Sequence, residues 1–219
     1  MTDGEPVLGG GGIWSLVHSE RAALAADLRG LSDDRWATPS LCSELTVREV
    51  LAHLTAGASL NSLRWFVGVV RCRFDFDKQV AERLAEQLGV SPRDTLERFR
   101  RVVTSTTKPP LPVLAMLGET IVHGEDIRRP LGLTREHPIA TVTRVADYYR
   151  GSDLVVLAKG RIKGLRLVAC DGPFTTGSSG PSVSGTTVAL VMAMTGRAAF
   201  LDDLEGDGVE LLRERCETA

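Results

Sequence analysis

The 219-residue sequence predicts an α+β protein in which a bundle of helices precedes a smaller mixed α and β unit. Two observations lead to this prediction. Apolar residues recur three or four positions apart, the spacing of an amphipathic helix, through most of the first half of the chain. Beyond residue 160 the pattern changes to an alternation of apolar and polar residues, which is typical of a strand.

The first two helices are predicted from periodicity and from one capping motif. Residues 13–31 have their apolar side chains at near-helical spacing. Thr46 followed by Glu49 is a capping box, in which the Thr oxygen accepts the Glu49 amide and the Glu side chain accepts the Thr46 amide. A second helix is therefore expected to begin there and to continue to about residue 71, softened but not broken at Gly57.

Proline and glycine delimit the next helices. Residues 76–88 form a charged amphipathic helix that ends at Gly89, and Ser91-Pro92 restarts a helix that continues to about residue 103. A further helix follows the prolines at 109, 110 and 112 and ends near residue 129, before Pro130. Because these helices follow one another closely, the sequence predicts a four-helix bundle whose third member is in two pieces.

The second unit mixes helices with short strands. One more helix is expected over residues 138–159, a strand over 165–170, and turn chemistry at residues 171–173. Residues 174–176 and 182–184 are short strand candidates, whereas 185–195 and 206–215 have helical patterns.

Composition excludes several classes of function. A net charge of −2 and a pI near 6.1 provide no basic surface for nucleic acid. The acidic, glycine-rich start lacks the pattern of a secretory signal, and the longest apolar run, residues 188–194, is far shorter than the roughly 20 residues of a membrane span. We therefore expect a cytoplasmic protein with no membrane partner. Its four cysteines are far apart, which favours reduced thiols used in packing.

Three side chains are candidates for a metal site. Glu119 and His123 are four residues apart on one face of a predicted helix, and His53 lies on the apolar side of the second helix. Two His and one Glu would give zinc three protein ligands and leave a fourth position open, as in catalytic sites. Taken singly, a histidine or glutamate in such a place is more often a core residue or a solvated helix residue than a metal ligand. Asp126 could hydrogen-bond His123, although a charge at a helix end is its commoner role.

Three stretches resemble one known family. The segment TPSLCSELTVREVLAHLTAG is similar to the signature C-x-G-W-T-V-x-D/E-V-L-A-H-L of the mycothiol-dependent maleylpyruvate isomerase family. GETIVHGEDIRRPLG resembles its fourth helix, and VSGTTVALVMAMTGR with LDDLEGDGVELLRE resembles its C-terminal domain. The resemblance extends over about residues 13–215. It implies a DinB-like metal-binding helical bundle over residues 13–135 and a linker helix with a sterol-carrier-like α/β domain over 136–219. Glu44 and Leu45 stand where the family has Gly-Trp.

The resemblance also implies a site and a reaction. The family's zinc ligands fall on His53, Glu119 and His123, and its catalytic arginine falls on Arg197. An arginine there would bind a substrate carboxylate in a cleft between the domains. Zinc, or another divalent metal, would hold the thiol of mycothiol as a thiolate. The thiolate would add to the cis double bond of maleylpyruvate, the adduct would rotate, and elimination would release the trans isomer.

Other functions stay open at this stage. The same thiolate could attack an electrophilic toxin, which would make the protein a mycothiol S-transferase. In a second alternative, the C-terminal domain binds a lipid-like ligand without catalysis and the metal is structural. A third is a helical bundle with structural histidines and no metal. The expected partners are thus a small-molecule thiol and a small anionic or electrophilic substrate, and the chain could be a monomer or a homodimer.

Overall fold

The computed structural model describes residues 10–42, 44–73 and 75–218 and divides the chain into two compact units, with the boundary between Leu133 and Thr134. The predicted α+β class is confirmed: the first unit is helical, and the second combines helices with a two-stranded sheet. The acidic start of the chain, from which the absence of a secretory signal was predicted, includes residues 1–9, which lie outside the described residues. No helix in the described part of the chain is long and apolar enough to cross a membrane.

The first unit is a bundle in which one helix contacts most of the others. Helix α2 packs against α4, α5 and α6, and α1 packs against α5 and α6. A short 3₁₀ turn, Asp33–Ala37, lies between α1 and α2 and contacts α2. The helices are α1 (Gly10–Asp27), α2 (Val47–Ser59), α3 (Ser62–Arg71), α4 (Phe76–Leu88), α5 (Pro92–Arg101) and α6 (Val113–Arg128).

An apolar cluster fills one part of this bundle, and we call it the apolar core. Its members are buried and come from α1, the 3₁₀ turn, α2, α5 and the end of α6. Burying side chains of this size is worth about 1.5–3 kcal/mol each, so the cluster is a main source of stability. The apolar core consists of Leu24, Ala25, Leu28, Trp36, Val47, Val50, Leu51, Leu54, Leu96, Phe99, Ile127 and Leu131.

The start of α2 agrees with the prediction, but its end does not. Both hydrogen bonds of the capping box at Thr46 and Glu49 are present. The predicted continuous helix to residue 71 is wrong, because α2 ends at Ser59 and Leu60 has extended backbone. Asn61 then accepts the Arg64 amide at 2.9 Å and caps a separate helix, α3. The break is therefore at Leu60 and Asn61, while Gly57 remains helical.

The boundaries of the next helices follow the predicted signals. Gly89 ends α4 with a φ of 70°, a conformation that favours glycine, and Ser91 caps α5 by accepting the Asp94 amide. Helix α6 begins directly after Pro112. It is also tied to α1, because the buried Arg128 donates to Asp27 at 2.8 Å.

In the second unit, helices α7 (Ile139–Gly151) and α8 (Thr187–Met194) pack against each other, and the chain closes with α9 (Val209–Glu217). The predicted helix to residue 159 is too long. Ser152 has extended backbone, and Leu154 and Leu157 are 62% and 52% exposed rather than buried on a helix face. A 3₁₀ segment, Ala198–Asp203, was not predicted and packs against α8 and α9.

The sheet of the second unit consists of two parallel strands. Strand β1 (Arg166–Ala169) pairs with β2 (Ser182–Gly185), with Leu167 opposite Val183. Both of these side chains are fully buried, as the alternating pattern predicted. The candidate strand at 174–176 is reduced to a single antiparallel bridge between Val168 and Thr175. The likeness of this unit to a sterol-carrier fold stays a prediction.

Candidate functional site

The two predicted histidine ligands meet in the interior of the first unit. His53 comes from α2 and His123 from α6, and their ring centroids are 5.0 Å apart with the planes at 76°. The helices bring them together because α2 packs directly on α6 and both residues are on the facing sides. Each is half-buried. Burial lowers the pKa of His53 to about 4, and His123 lowers it further, so His53 is neutral at pH 7 and keeps a lone pair available for a cation.

Glu119 lies one helical turn before His123 on α6. Its side chain lines the same cavity as His53, and its Oε2 is 3.9 Å from the position that a Cβ on Gly57 would take. Burial raises the pKa of Glu119, whereas His123 and Arg21 act in the opposite direction. A buried carboxylate is costly unless cations or hydrogen-bond donors face it, so this environment favours a nearby positive charge.

Arg21 provides part of that charge, and the sequence did not reveal it as a site residue. It is buried on α1 and donates to the carbonyl of Ser105 at 2.9 Å. Burial lowers its pKa to about 10, and the carboxylate of Glu119 opposes that effect. Arg21 therefore stays charged at pH 7. Nothing in the local sequence separates it from the neighbouring surface residues of the first helix.

Asp126 orients the ring of His123. It is fully buried, and its Oδ2 lies 2.9 Å from Nδ1 of His123, while its carbonyl accepts the Leu41 amide. An ionised carboxylate only accepts, so opposite an ionised Asp126 the Nδ1 atom would carry the proton and Nε2 would keep its lone pair. Asp126 thus supports a histidine that could bind a metal, rather than serving as a solvated charge at the helix end.

Cys42 joins this pair in a second group of possible metal donors. The donor atoms of Cys42, His123 and Asp126 all lie within 4.8 Å of one another. Among the described residues, His53, Glu119 and His123 do not form so tight a group, and their assignment as the ligands stays a prediction. The two groups share His123. The prediction that all four cysteines are used in packing is wrong for Cys170, which is exposed.

Arg197, the predicted catalytic arginine, belongs to the second unit. It is half-buried directly before the 3₁₀ segment, where its Nη1 donates to the carbonyl of Thr195 at 2.8 Å. Its backbone amide donates to the carbonyl of Met192 at 2.9 Å. These bonds hold the backbone and the guanidinium of Arg197 against the end of α8. Its role in catalysis stays a prediction.

Comparison with known families shows what most of the first unit is similar to. Residues 17–108 match the family described as the mycothiol maleylpyruvate isomerase N-terminal domain. This part of the chain is similar to that domain. The predicted recognition is thereby confirmed, and the matched range includes His53 and Cys42 but ends before α6, which contributes Glu119 and His123.

The fold is similar to two crystal structures of the mycothiol-dependent maleylpyruvate isomerase. One, of a variant with a histidine replaced by alanine, has a TM-score of 0.60 and 14% identity; the other has a TM-score of 0.58 and 13% identity. Each likeness covers 91% of this chain and 93% of the other. At such low identity it shows the fold alone. No curated protein sequence matches the chain.

Proposed function

We propose that the chain is a metal-dependent and mycothiol-dependent enzyme of the maleylpyruvate isomerase type, with His53, Glu119 and His123 as the metal ligands. The observation that best supports this proposal is the meeting of His53 and His123 across α2 and α6, with Glu119 one turn away beside a cavity. The isomerase-family domain and the shared fold support the same conclusion.

The residues present fit a divalent metal by their chemistry. Two imidazoles and one carboxylate are ligands that zinc accepts, and three of them leave a position for an exogenous ligand. His53 is neutral at pH 7, and the buried carboxylate of Glu119 is in an environment that a cation would relieve. When bound, a metal of this kind supplies Lewis acidity, which lowers the pKa of a coordinated thiol.

The chain's own residues would prepare this centre. Asp126 would hold the proton of His123 on Nδ1, so that Nε2 carries the lone pair that a metal needs. Arg21 would partly offset the effect of burial on Glu119, because its guanidinium favours the charged carboxylate. Apolar residues of the cavity, such as Leu60 and Leu111, would exclude water from a reactive thiolate.

Metal content of the purified protein tests the proposal first. By mass spectrometry we expect about one zinc per chain in the wild type, as one three-ligand site would hold. His53→Ala, Glu119→Ala and His123→Ala should lose it while circular dichroism shows that they remain folded. His137→Ala is the matched control, since it removes a histidine of the second unit. A wild type that stays metal-free after incubation with zinc would overturn the proposal.

The reaction itself needs a second test. Zinc-loaded protein with mycothiol should convert maleylpyruvate to fumarylpyruvate, and the same preparation should be offered an electrophilic toxin to detect an S-transferase. Arg197→Gln is expected to reduce turnover without changing zinc content, because a carboxylate-binding arginine is not a metal ligand. Zinc binding without either reaction would favour the non-catalytic, ligand-binding alternative.

A further inference from the structure

The cavity beside His53 and Glu119 is bounded by α2, α3, α4 and the segment that leads into α6. Its volume is about 190 Å³. Pockets for drug-sized ligands measure roughly 300–1,000 Å³, so this one suits a small metabolite. Its lining is largely apolar. The lining residues are His53, Ala56, Gly57, Leu60, Trp65, Gln79, Val80, Arg83, Pro109, Leu111 and Glu119.

Two long polar side chains reach this cavity from α4, where they are four residues apart. Gln79 is only 4% exposed, and its Nε2 donates to the carbonyl of Trp65 at 2.9 Å. The side chain of Arg83 is 14% exposed. Both fit against α3 because Gly68 has no side chain there. A Cβ at that position would lie 2.5 Å from Nε2 of Gln79 and 3.3 Å from Nη2 of Arg83.

The hydrogen bonds of Arg83 leave one buried donor unused. Its Nη1 donates to both carboxylate oxygens of Glu86, at 3.1 and 2.9 Å, and its Nη2 has a longer contact of 3.4 Å with the carbonyl of Arg64. Its Nε is buried and has no hydrogen-bond partner within the described parts of the chain. A buried N–H of a charged group without an acceptor is unfavourable, so this guanidinium retains an unused capacity to bind an acceptor.

We propose that Arg83 is the anion-binding residue of this cavity and that its guanidinium binds a carboxylate of the reacting small molecule. The arginine fork matches carboxylate geometry, and the apolar walls would strengthen the bond by excluding water. Gln79 holds the wall formed by α3 in place through Trp65. The role in catalysis rests on the proposed function, whereas carboxylate binding by Arg83 does not.

Calorimetric titration with maleate, a small cis-dicarboxylate, tests this inference on the full chain. Arg83→Gln removes the charge and the fork, and should weaken binding about 10- to 100-fold, the range for one charge-assisted hydrogen bond. Glu86→Gln removes the protein carboxylate that competes for Nη1 and should tighten binding about two- to fivefold. The two variants therefore change affinity in opposite directions.

Arg71→Gln is the matched control. Arg71 also pairs with a glutamate of α4, Glu82, but it is exposed and does not line the cavity. The affinity of Arg71→Gln for maleate should stay within about twofold of that of the wild type, a change below 0.5 kcal/mol. Arg83→Lys keeps the charge but not the fork and should be intermediate, which provides a test if Arg83→Gln does not fold. Maleamide, the neutral diamide, should not compete.

Repeating the titrations after chelator treatment separates this inference from the proposed function. Loss of maleate binding in Arg83→Gln, with and without chelator, supports the inference even if the wild type never retains zinc. Equal binding by wild type and Arg83→Gln, equal losses in Arg83→Gln and Arg71→Gln, or no maleate binding by the wild type would each overturn it. None of these last results would contradict the separate proposal that His53, Glu119 and His123 bind zinc.

Discussion

Helices α1, α2 and α6 each contribute to two different interiors of the first unit. One is the apolar core. The other, which we call the polar interior, consists of Arg21, His53, Glu119, His123 and Asp126, carried by the same three helices. In the apolar core the contacts are non-directional, and stability depends mainly on the apolar area that is buried. In the polar interior each group depends on a particular partner, because a buried polar group without one is costly.

This difference predicts which substitutions affect stability and which affect the site. A change in the apolar core should lower the free energy of unfolding while the site in the remaining folded molecules is unaltered. A change in the polar interior should reduce metal affinity out of proportion to its effect on stability. Substitutions in each interior test this separation.

The largest effect is expected for Phe99→Ala. Phe99 is fully buried in the apolar core, and removing a ring of this size costs about 3–5 kcal/mol of unfolding free energy. Urea denaturation followed by circular dichroism measures it. Val90→Ala, at a residue 93% exposed, is the control and should change stability by less than about 0.5 kcal/mol. Loss of zinc from folded Phe99→Ala would show that the two interiors are not separable.

Asp126→Asn should weaken zinc binding about 10- to 100-fold, the usual effect of removing a carboxylate that orients a ligand histidine. Competition with a chromophoric chelator measures this change. Asp94→Asn is the control, since Asp94 caps a surface turn on α5 and pairs with Arg98 outside the polar interior. Equal zinc affinity in Asp126→Asn and wild type would mean that the bond to Nδ1 does not orient a metal ligand.

Thr46→Ala removes half of the capping box at the start of α2 and should lower the free energy of unfolding by about 0.5–2 kcal/mol. Thermal and urea denaturation would both detect it. Thr106→Ala, at an exposed loop threonine, should have no such effect. Because the cap is two turns away from His53, zinc affinity should not change; a parallel loss of zinc would mean that the site depends on the helix end.

The smallest effect is expected for Cys42→Ser. If His53, Glu119 and His123 bind the metal, zinc affinity should change by less than about threefold, well under 1 kcal/mol. Cys170→Ser, at an exposed cysteine, is the matched control. A strong loss of zinc in Cys42→Ser alone would assign the metal to Cys42, His123 and Asp126 instead, and would show which of the two overlapping groups is used.

Local signals in the sequence predicted the helices well, and their failures have a physical cause. The capping box at Thr46 and the glycine at Gly89 act within one turn of backbone, so they can be recognised without the rest of the molecule. The break at Asn61 is also encoded locally, as an N-cap residue, but the apolar residues on both sides suggested one helix. Leu154 similarly continued an apolar pattern although the backbone had already left the helix.

The residues of the candidate site also divide into those that a local pattern predicts and those that it does not. Glu119 and His123 were found from their spacing, and His53 from its place on an apolar face, because these are properties of one helix. Arg21 and Arg83 could not be identified from such single-helix patterns, because charged residues on amphipathic helices are mostly at the surface. Only the packing of α1 and α4 against other helices shows that these two are largely buried.

The interruption at Leu60 and Asn61 separates two segments of the chain that have different expected roles. Helix α2 before it contributes a residue expected to take part in the reaction, whereas the α3–α4 hairpin after it contributes Arg83, expected to recognise the reacting molecule. Because the backbone is already discontinuous there, insertions in the turn between α3 and α4 need not shift the register of α2, although the face of α4 that packs on α2 is constrained. A protein built this way can acquire a new substrate preference through substitutions on the cavity side of one hairpin while the residues expected to bind the metal stay the same.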